Sequence, residues 1–378
     1  MTVISASRES LLTPLQAVLG IVERRHTLPI LAHVLLRQVG ADIGWTSSDL
    51  ELQLRTGPDA PDPATAEAAF ATTVSARKLA DILRALPGGQ AVQLRAQDRR
   101  LLLQAGRSRF SLQTLPAADF PLLQAAPDLG EPFGVPGAVL SDLIEQVQMA
   151  MAVHDIRYYL NGLLFVIDGG QLTLVASDGN RLALATAAAA VDASLPRRSF
   201  ILPRKTVQEL LRLLREGAAA DDSSAVEIRC GAAQVCLRWA GMECLSKLVE
   251  GRFPDYTRVI PAQNKHRMAL PRAALQTALQ RAAILTNEKF RGIKLSLAPG
   301  RLRVAASNAE REEALEELEA DYAGPSLEIG FNVGYLLDVL ADTRIGTVQL
   351  ALADAHSSVL VTTPDRPGFR YVVSPMRL

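Results

Sequence analysis

An excess of charge of either sign is the first thing this chain lacks. Its 378 residues carry 40 Lys plus Arg against 40 Asp plus Glu, a formal balance of zero. That argues against a strongly basic nucleic-acid tail, while leaving local patches free to meet phosphates. Cysteine is scarce, with Cys230, Cys236 and Cys244 alone. They form no CxxC unit, and the nearest histidine beyond them is His266. A zinc site is poorly served by that spacing; three small residues in neighbouring strands of a cytoplasmic protein fit better. No apolar run reaches the ~18 residues of a membrane span. The opening MTVISASRES shows no charged segment, apolar core and cleavage site of an export signal.

Catalytic signatures are missing as well. There is no GxxxxGKS or GxxxxGKT, no GxGxxG and no GxSxG. The five histidines, His26, His33, His154, His266 and His356, make no HExxH or HxH pair. No cofactor is expected. One hydrolase reading survives, in which Ser177 is a nucleophile beside Asp178. No histidine or lysine is placed by sequence to activate that serine. A turn between strands accounts for the pair equally directly.

What the chain does hold is ample apolar material, 48% of residues, and an internal period. WTSSDLELQL (45–54), LVASDGNRLAL (174–184) and VAASNAEREEA (304–314) read alike. Their pairs Ser48-Asp49, Ser177-Asp178 and Ser307-Asn308 stand 129 and 130 residues apart. At about 150 residues per domain the length allows two or three domains, and the period selects three. The thirds divide at Pro- and Gly-rich joints, 126–137 and 259–268, giving expected domains 1–125, 126–260 and 261–378. A polar stretch, 56–69, reads as a long loop.

Each third repeats one plan. An amphipathic helix opens it, at 8–24, 139–152 and 272–285. Strands follow, then a second helix at 75–86, 203–214 and 332–343. Ser75 and Asn332 suit N-caps, and Pro203 suits a first helical turn. Alternating strands close each third, as in AVQLRAQDRRLLLQAG, AVEIRCGAAQVCLRWAG and TVQLALADAHSSVLVTT. The fold class expected is α+β, an antiparallel sheet burying one face under a pair of helices in each third.

Charge is uneven between thirds. Arg95, Arg99, Arg100, Arg107 and Arg109 surround Phe110 and Leu112. The last third carries Glu310, Glu312, Glu313, Glu316, Glu317 and Glu319 after Ile284 and Leu285. The glutamates could hold a cation, but their arginine and alanine spacers suit a solvated or interface face better. A basic and an acidic edge on one chain favour head-to-tail contact between copies. Helix faces with Arg77, Lys78 and Arg84, and with Arg204, Lys205, Arg212 and Arg215, could meet DNA loosely or be ordinary solvated faces.

Seven motifs occur together in order: RRHTLPILAHVLL, RYYLNGLLF, VASDGNRLAL, SKLVEGRFPDYTRVIP, AAILTNEKFRGIKL, EIGFNVGYLLDVL and PMRL. From Ser7 to Leu378 the chain resembles the β sliding clamp of bacterial DNA polymerase III. The resemblance implies three tandem clamp domains and a head-to-tail homodimeric ring that encircles double-stranded DNA. It implies tethering of replicative polymerase, the clamp loader and other proteins that carry a clamp-binding peptide. A clamp-like paralogue serving repair or a specialised polymerase is the alternative. The implied peptide pocket comprises Leu160, Ser177, Gly179, Asn180, Arg181, Leu182, Pro254, Arg258, Val259, Asn332, Tyr335 and Ser358, with Val372, Val373, Pro375, Met376, Arg377 and Leu378. An apolar slot with polar rims suits an extended peptide, and Met376 is an adaptable lining. DNA contacts are implied at Arg25, Tyr158 and Tyr159, with His154 where glutamine is usual. Arg107, Arg109, Phe110 and Leu112 would meet Ile284, Leu285, Glu310, Glu312, Glu313 and Glu316 of the second copy. Departures from the family pattern fall at Asn180, Ser374 and His356.

Overall fold

Alternation builds the strands. In Ala91–Gln97 the residues Val92 and Leu94 point inward while Gln93, Arg95 and Gln97 stay exposed. A period of two places one face of a sheet in the core and leaves the other in water. The computed structural model describes residues 3–23, 27–40, 42–57, 70–188, 197–217, 225–287 and 291–377. Among these are six α-helices: α1 (Arg8–Val18), α2 (Ala76–Ala85), α3 (Gly137–Val147), α4 (Arg204–Gly217), α5 (Arg272–Ala283) and α6 (Val333–Val339). Each third thus supplies two, on antiparallel sheets. None is long and apolar enough to cross a membrane.

The chain forms two compact units, Met1–Ala138 with Gln208–Leu248, and Val139–Val207 with Val249–Leu378. The first holds a twelve-stranded sheet. Its strands from the first third end at Leu52–Thr56, which pairs antiparallel with Met242–Lys247 of the middle third. Helix α1 packs on α2 and on the strands Asp42–Ser48 and Leu52–Thr56. Leu11, Leu15, Leu79, Leu83 and Trp45 fill the space between, all but excluded from solvent. At about 25 cal/mol per Å² of apolar surface, such burial is the main favourable term of this unit. The second unit holds a nine-stranded and a four-stranded sheet. In the nine-stranded one, Arg181–Ala188 of the middle third pairs with Phe369–Val373 of the last, Arg181 opposite Val373.

The Ser-Asx pairs form the same turn twice and a wider one in the last third. Asp49 Oδ1 accepts from the amides of Glu51 and Leu52, at 3.0 and 2.7 Å. Asp178 Oδ1 accepts from Asn180 and Arg181, at 2.9 and 3.1 Å. Asn308 Oδ1 accepts from Glu312 at 2.9 Å. Each turn carries a left-handed residue: Leu50, Gly179 or Arg311.

Several local expectations shift. Asn332 caps α6, accepting from Gly334 N at 2.8 Å, but Ser75 makes no side-chain cap on α2. Pro203 closes a strand instead of opening α4. The helix expected to 285 stops at Ala283, and the one expected to 343 stops at Val339. Three of the basic helix residues are engaged within the fold. Arg77 donates to Val22 O, Arg204 to Met151 O, and Arg212 to Ala17 O and to Glu209 and Glu216. These guanidiniums hold helices in place. The cysteines do lie in neighbouring strands, Cys236 and Cys244 being buried, and burial pushes the Cys236 thiol up to about 11. The stretch 58–69 lies outside the described residues.

Candidate functional site

The turn at Asp178 starts the site. Asp178 spends one carboxylate oxygen on the turn and the other on Arg181 Nε, 2.9 Å away. Ser177 Oγ donates to Arg181 O at 2.8 Å and accepts from Gly179 N at 3.1 Å. The serine is therefore a turn member, and the hydrolase reading falls. Arg181 reaches further, to the Asp338 carboxylate of α6 and to Met149 O. Its guanidinium stands 4.5 Å from the centre of the Tyr335 ring. Burial opposes the charge on Arg181, but Tyr371, Asp338 and Asp178 hold its pKa above the ordinary value. Tyr371 donates to Tyr335 O at 2.9 Å, and burial pushes its own phenol up.

Beside this polar cluster lies an apolar floor. Leu160, Leu182 and Val372 belong to one buried cluster with Leu164, Leu184 and Phe253. Tyr159, Tyr256, Ile260 and Leu360 pack on it, half-buried. Val259 is 46% exposed at the rim, with Pro254 and Arg258 also in solvent, Arg258 pairing with Asp255 at 3.1 Å. The terminal segment forms a wall. Ser374 N donates to Asn180 O and Met376 N to Gly330 O, both at 2.9 Å. Pro375 and Met376 are half-buried and Arg377 is exposed. Ser358 Oγ lies 3.5 Å from Ser374 Oγ. Val373 is buried in its strand, and Asn332 spends its side-chain oxygen on the α6 cap. Leu378 lies outside the described residues. His356 stays exposed, in a turn held by Asp354. Asp338, Met149, Tyr371 and Leu360 were not among the expected site residues; Leu360 sat in a quoted strand, but nothing local marked Asp338 as Arg181's partner.

Next to the floor, residues 153–158 form a tightly bonded loop. Asn161 holds both the amide and the carbonyl of Asp155, at 2.9 and 2.8 Å. Asp155 pairs with Arg157, which draws its pKa down to about 2. His154 is left-handed and exposed; Tyr158 is 56% exposed and meets Tyr159 edge-on at 5.9 Å. Tyr158 is thus presented, not buried. Arg25 lies outside the described residues.

The expected interface residues fall on two edge strands and on the turns and helix end beside them. Ser108–Leu115 pairs along one side with Arg100–Ala105, but on the other only Thr114 and Leu115 pair, with Val74 and Thr73. Its 108–113 stretch is a free edge among the described residues. Arg107 and Arg109 are exposed; Phe110 and Leu112 are half-buried. Glu313–Glu319 is the edge of the four-stranded sheet. Ile284 is 77% exposed and Leu285 half-buried. Glu310, Glu312 and Glu313 are exposed, while Arg281 of the same chain grips Glu316 through two hydrogen bonds. Glu317 pairs with Arg301 and Arg303. No cluster of metal-ligating side chains occurs among the described residues.

Three family models match in order: the DNA polymerase III beta subunit N-terminal domain over residues 2–124, its central domain over 134–255 and its C-terminal domain over 257–377. The Beta sliding clamp of Pseudomonas aeruginosa is 44% identical over 377 residues, covering 98% of each chain. That of Escherichia coli K12 is 42% identical over 374 residues, covering 99% of each. The crystal structure of the Pseudomonas aeruginosa DNA polymerase sliding clamp with ligand superposes with a TM-score of 0.92, at 43% identity over all of both chains. The Caulobacter crescentus pol III beta structure gives 0.90 at 36% identity, again over all of both chains.

Proposed function

The chain belongs to the DNA polymerase III beta subunit family, the bacterial β sliding clamps, and on that footing we propose how its residues divide the work. It is a processivity factor, not an enzyme. Two copies close head to tail into a ring around duplex DNA, and polymerase is tethered to that ring. A ring holds DNA by topology, so tight contacts would only slow it; a chain of zero net charge suits that task.

The cleft beside Arg181 takes the clamp-binding peptide of polymerase, clamp loader and other clients. The observation that carries this is a buried apolar floor, Leu160, Leu182 and Val372, walled by a terminal segment pinned to Asn180 O and Gly330 O. Apolar anchors of an extended peptide fill such a floor, and polar rims fix its direction. The full pocket is the set from Leu160 to Leu378 named above. DNA is touched by Arg25, His154, Tyr158 and Tyr159, the loop bonding of Asp155 and Asn161 keeping Tyr158 presented.

The ring closes where the free edge of Ser108–Leu115 meets the edge strand Glu313–Glu319 of the second copy. Phe110, Leu112, Ile284 and Leu285 make its apolar centre, and Arg107 and Arg109 face the glutamates. Domain limits at 1–125, 126–260 and 261–378 follow the repeat. The middle third is shared between two compact units because strands 225–247 continue one sheet and strands 162–188 another. The protein works in the cytoplasm, beside the chromosome.

Fluorescence anisotropy tests the cleft. A labelled Gln- and Leu-rich clamp-binding peptide is titrated with the full chain and with a chain lacking Pro375–Leu378. Saturable binding that the truncation abolishes is expected; binding untouched by truncation would move the pocket elsewhere. No binding to either would favour the specialised paralogue.

A further inference from the structure

The exposed face of the strands Val3–Ser7, Ala91–Gln97, Arg100–Ala105 and Ser108–Leu115 has an ordered chemistry that, apart from Arg109 at its edge, neither the ring nor the peptide cleft uses. Register resolves it into rungs. One rung runs Ser5, Gln93, Gln104, Arg109. The next runs Arg95, Leu102, Ser111, and the third Gln97, Arg100, Gln113. Each rung carries one arginine, each on a different strand, so like charges never stand directly opposite. The rest of the face is mainly glutamine and serine around the half-buried Leu102. Residues 91–115 contain five arginines and one acid, Asp98, on a chain whose total charge is zero. Arg100 Nη1 donates to Ser111 Oγ at 3.3 Å, which leans that side chain along the face.

From this we infer a docking surface for an extended acidic peptide segment of a partner protein, centred on Arg95, Leu102 and Arg100. Alternate side chains of an extended peptide are about 6.7 Å apart, the same pitch as successive rungs, and Arg95 and Arg100 stand on adjacent strands one rung apart, so two alternate carboxylates of a peptide lying along the strands come within reach of both guanidiniums. The glutamine amides both donate and accept, and so serve the peptide's backbone groups. Leu102 receives one apolar side chain. A nucleic acid fits less well. The face offers no aromatic ring on which a base could stack, and Leu102 would sit against phosphates. The ring does not consume the surface. Arg109 lies at the edge proposed to meet the second copy, but Arg100 and Arg95 stand one and two strands farther in.

The test uses the full chain and a fluorescein-labelled peptide with Glu at alternate positions and one central Leu. Saturable, salt-sensitive binding is expected, weakened about tenfold or more in Arg95→Glu/Arg100→Glu and less in Arg95→Gln/Arg100→Gln. Sedimentation velocity checks that both variants remain dimers. Equal binding by wild type and the charge-reversed variant, equal binding of a Gln-for-Glu peptide, or no binding at low salt would each overturn the inference. So would tighter binding of oligothymidylate that is lost by the same substitutions, which would make the face a phosphate surface.

Discussion

Arg181 lies over the ring of Tyr335 while its guanidinium joins Asp178, Asp338 and Met149 O. One side chain therefore ties the turn of the middle third to a helix of the last third. Removing it strands two carboxylates and a carbonyl. Arg181→Ala should cost about 1–3 kcal/mol in denaturant unfolding. It should also weaken clamp-peptide binding by about tenfold or more, because Tyr335 loses the cation that positions it. Arg181→Lys keeps the charge but not the fork, and should recover little of either. A variant of unchanged stability and affinity would remove Arg181 from the site.

The apolar centre of the ring contact is tested by Ile284→Ala with Leu285→Ala. Ile284 is 77% exposed on the single chain, so its truncation should leave the fold intact. Light scattering should then report monomers. Arg109→Glu, facing the glutamate edge, should weaken the dimer with a strong salt dependence. A dimer that persists at low concentration in both variants would refute the edge-to-edge contact.

Stability near neutral pH should depend on His33. Its ring nitrogen Nδ1 lies 3.1 Å from Thr73 Oγ1, and burial, aided by Lys78, lowers its pKa. The unfolded chain therefore takes up this proton first as pH falls. The native state loses stability as pH drops from the unfolded value of about 6.5 toward the folded value, and regains it above. His33→Gln should flatten that part of the stability profile relative to wild type. Identical slopes in the two proteins would show that His33 is not a source of the pH dependence.

Local pattern revealed a good deal. The period, the Ser-Asx turns and all six helices were visible because each depends on residues a few positions apart. The seams were not. Leu52–Thr56 pairs with Met242–Lys247 across nearly two hundred positions, and nothing in either strand names the other. The ion network was equally hidden: Arg344 reaches Asp142, Glu145 and Asp342, and Arg366 reaches Asp142 and Asp342. Charged residues read as solvated until tertiary packing supplies their partners. The cleft was legible mainly through family resemblance; Leu160, Leu182 and Val372 look like any core residues until the strands meet.

The seam beneath the cleft offers the sharpest structural test. Gly368 precedes the strand Phe369–Val373, and Thr186 N donates to its carbonyl at 3.2 Å. A Cβ at Gly368 would collide with the backbone oxygen of Thr186. The obstacle is main chain, so it cannot rotate away. Gly368→Ala must push Arg181–Ala188 and Phe369–Val373 apart at one end of their ladder. The opposite end of that ladder pairs Arg181 with Val373 and Leu182 with Val372, which form the floor and rim of the cleft. If the seam moves as a rigid pair, the substitution should lower stability by about 1–3 kcal/mol and weaken clamp-peptide binding together. Gly300→Ala, which meets no atom within 4 Å though its φ is +74°, gives the control for strain alone. Lost stability with unchanged peptide affinity would mean that the two ends of the ladder are independent. In that case the terminal segment, held at Asn180 O and Gly330 O, sets the cleft's shape by itself.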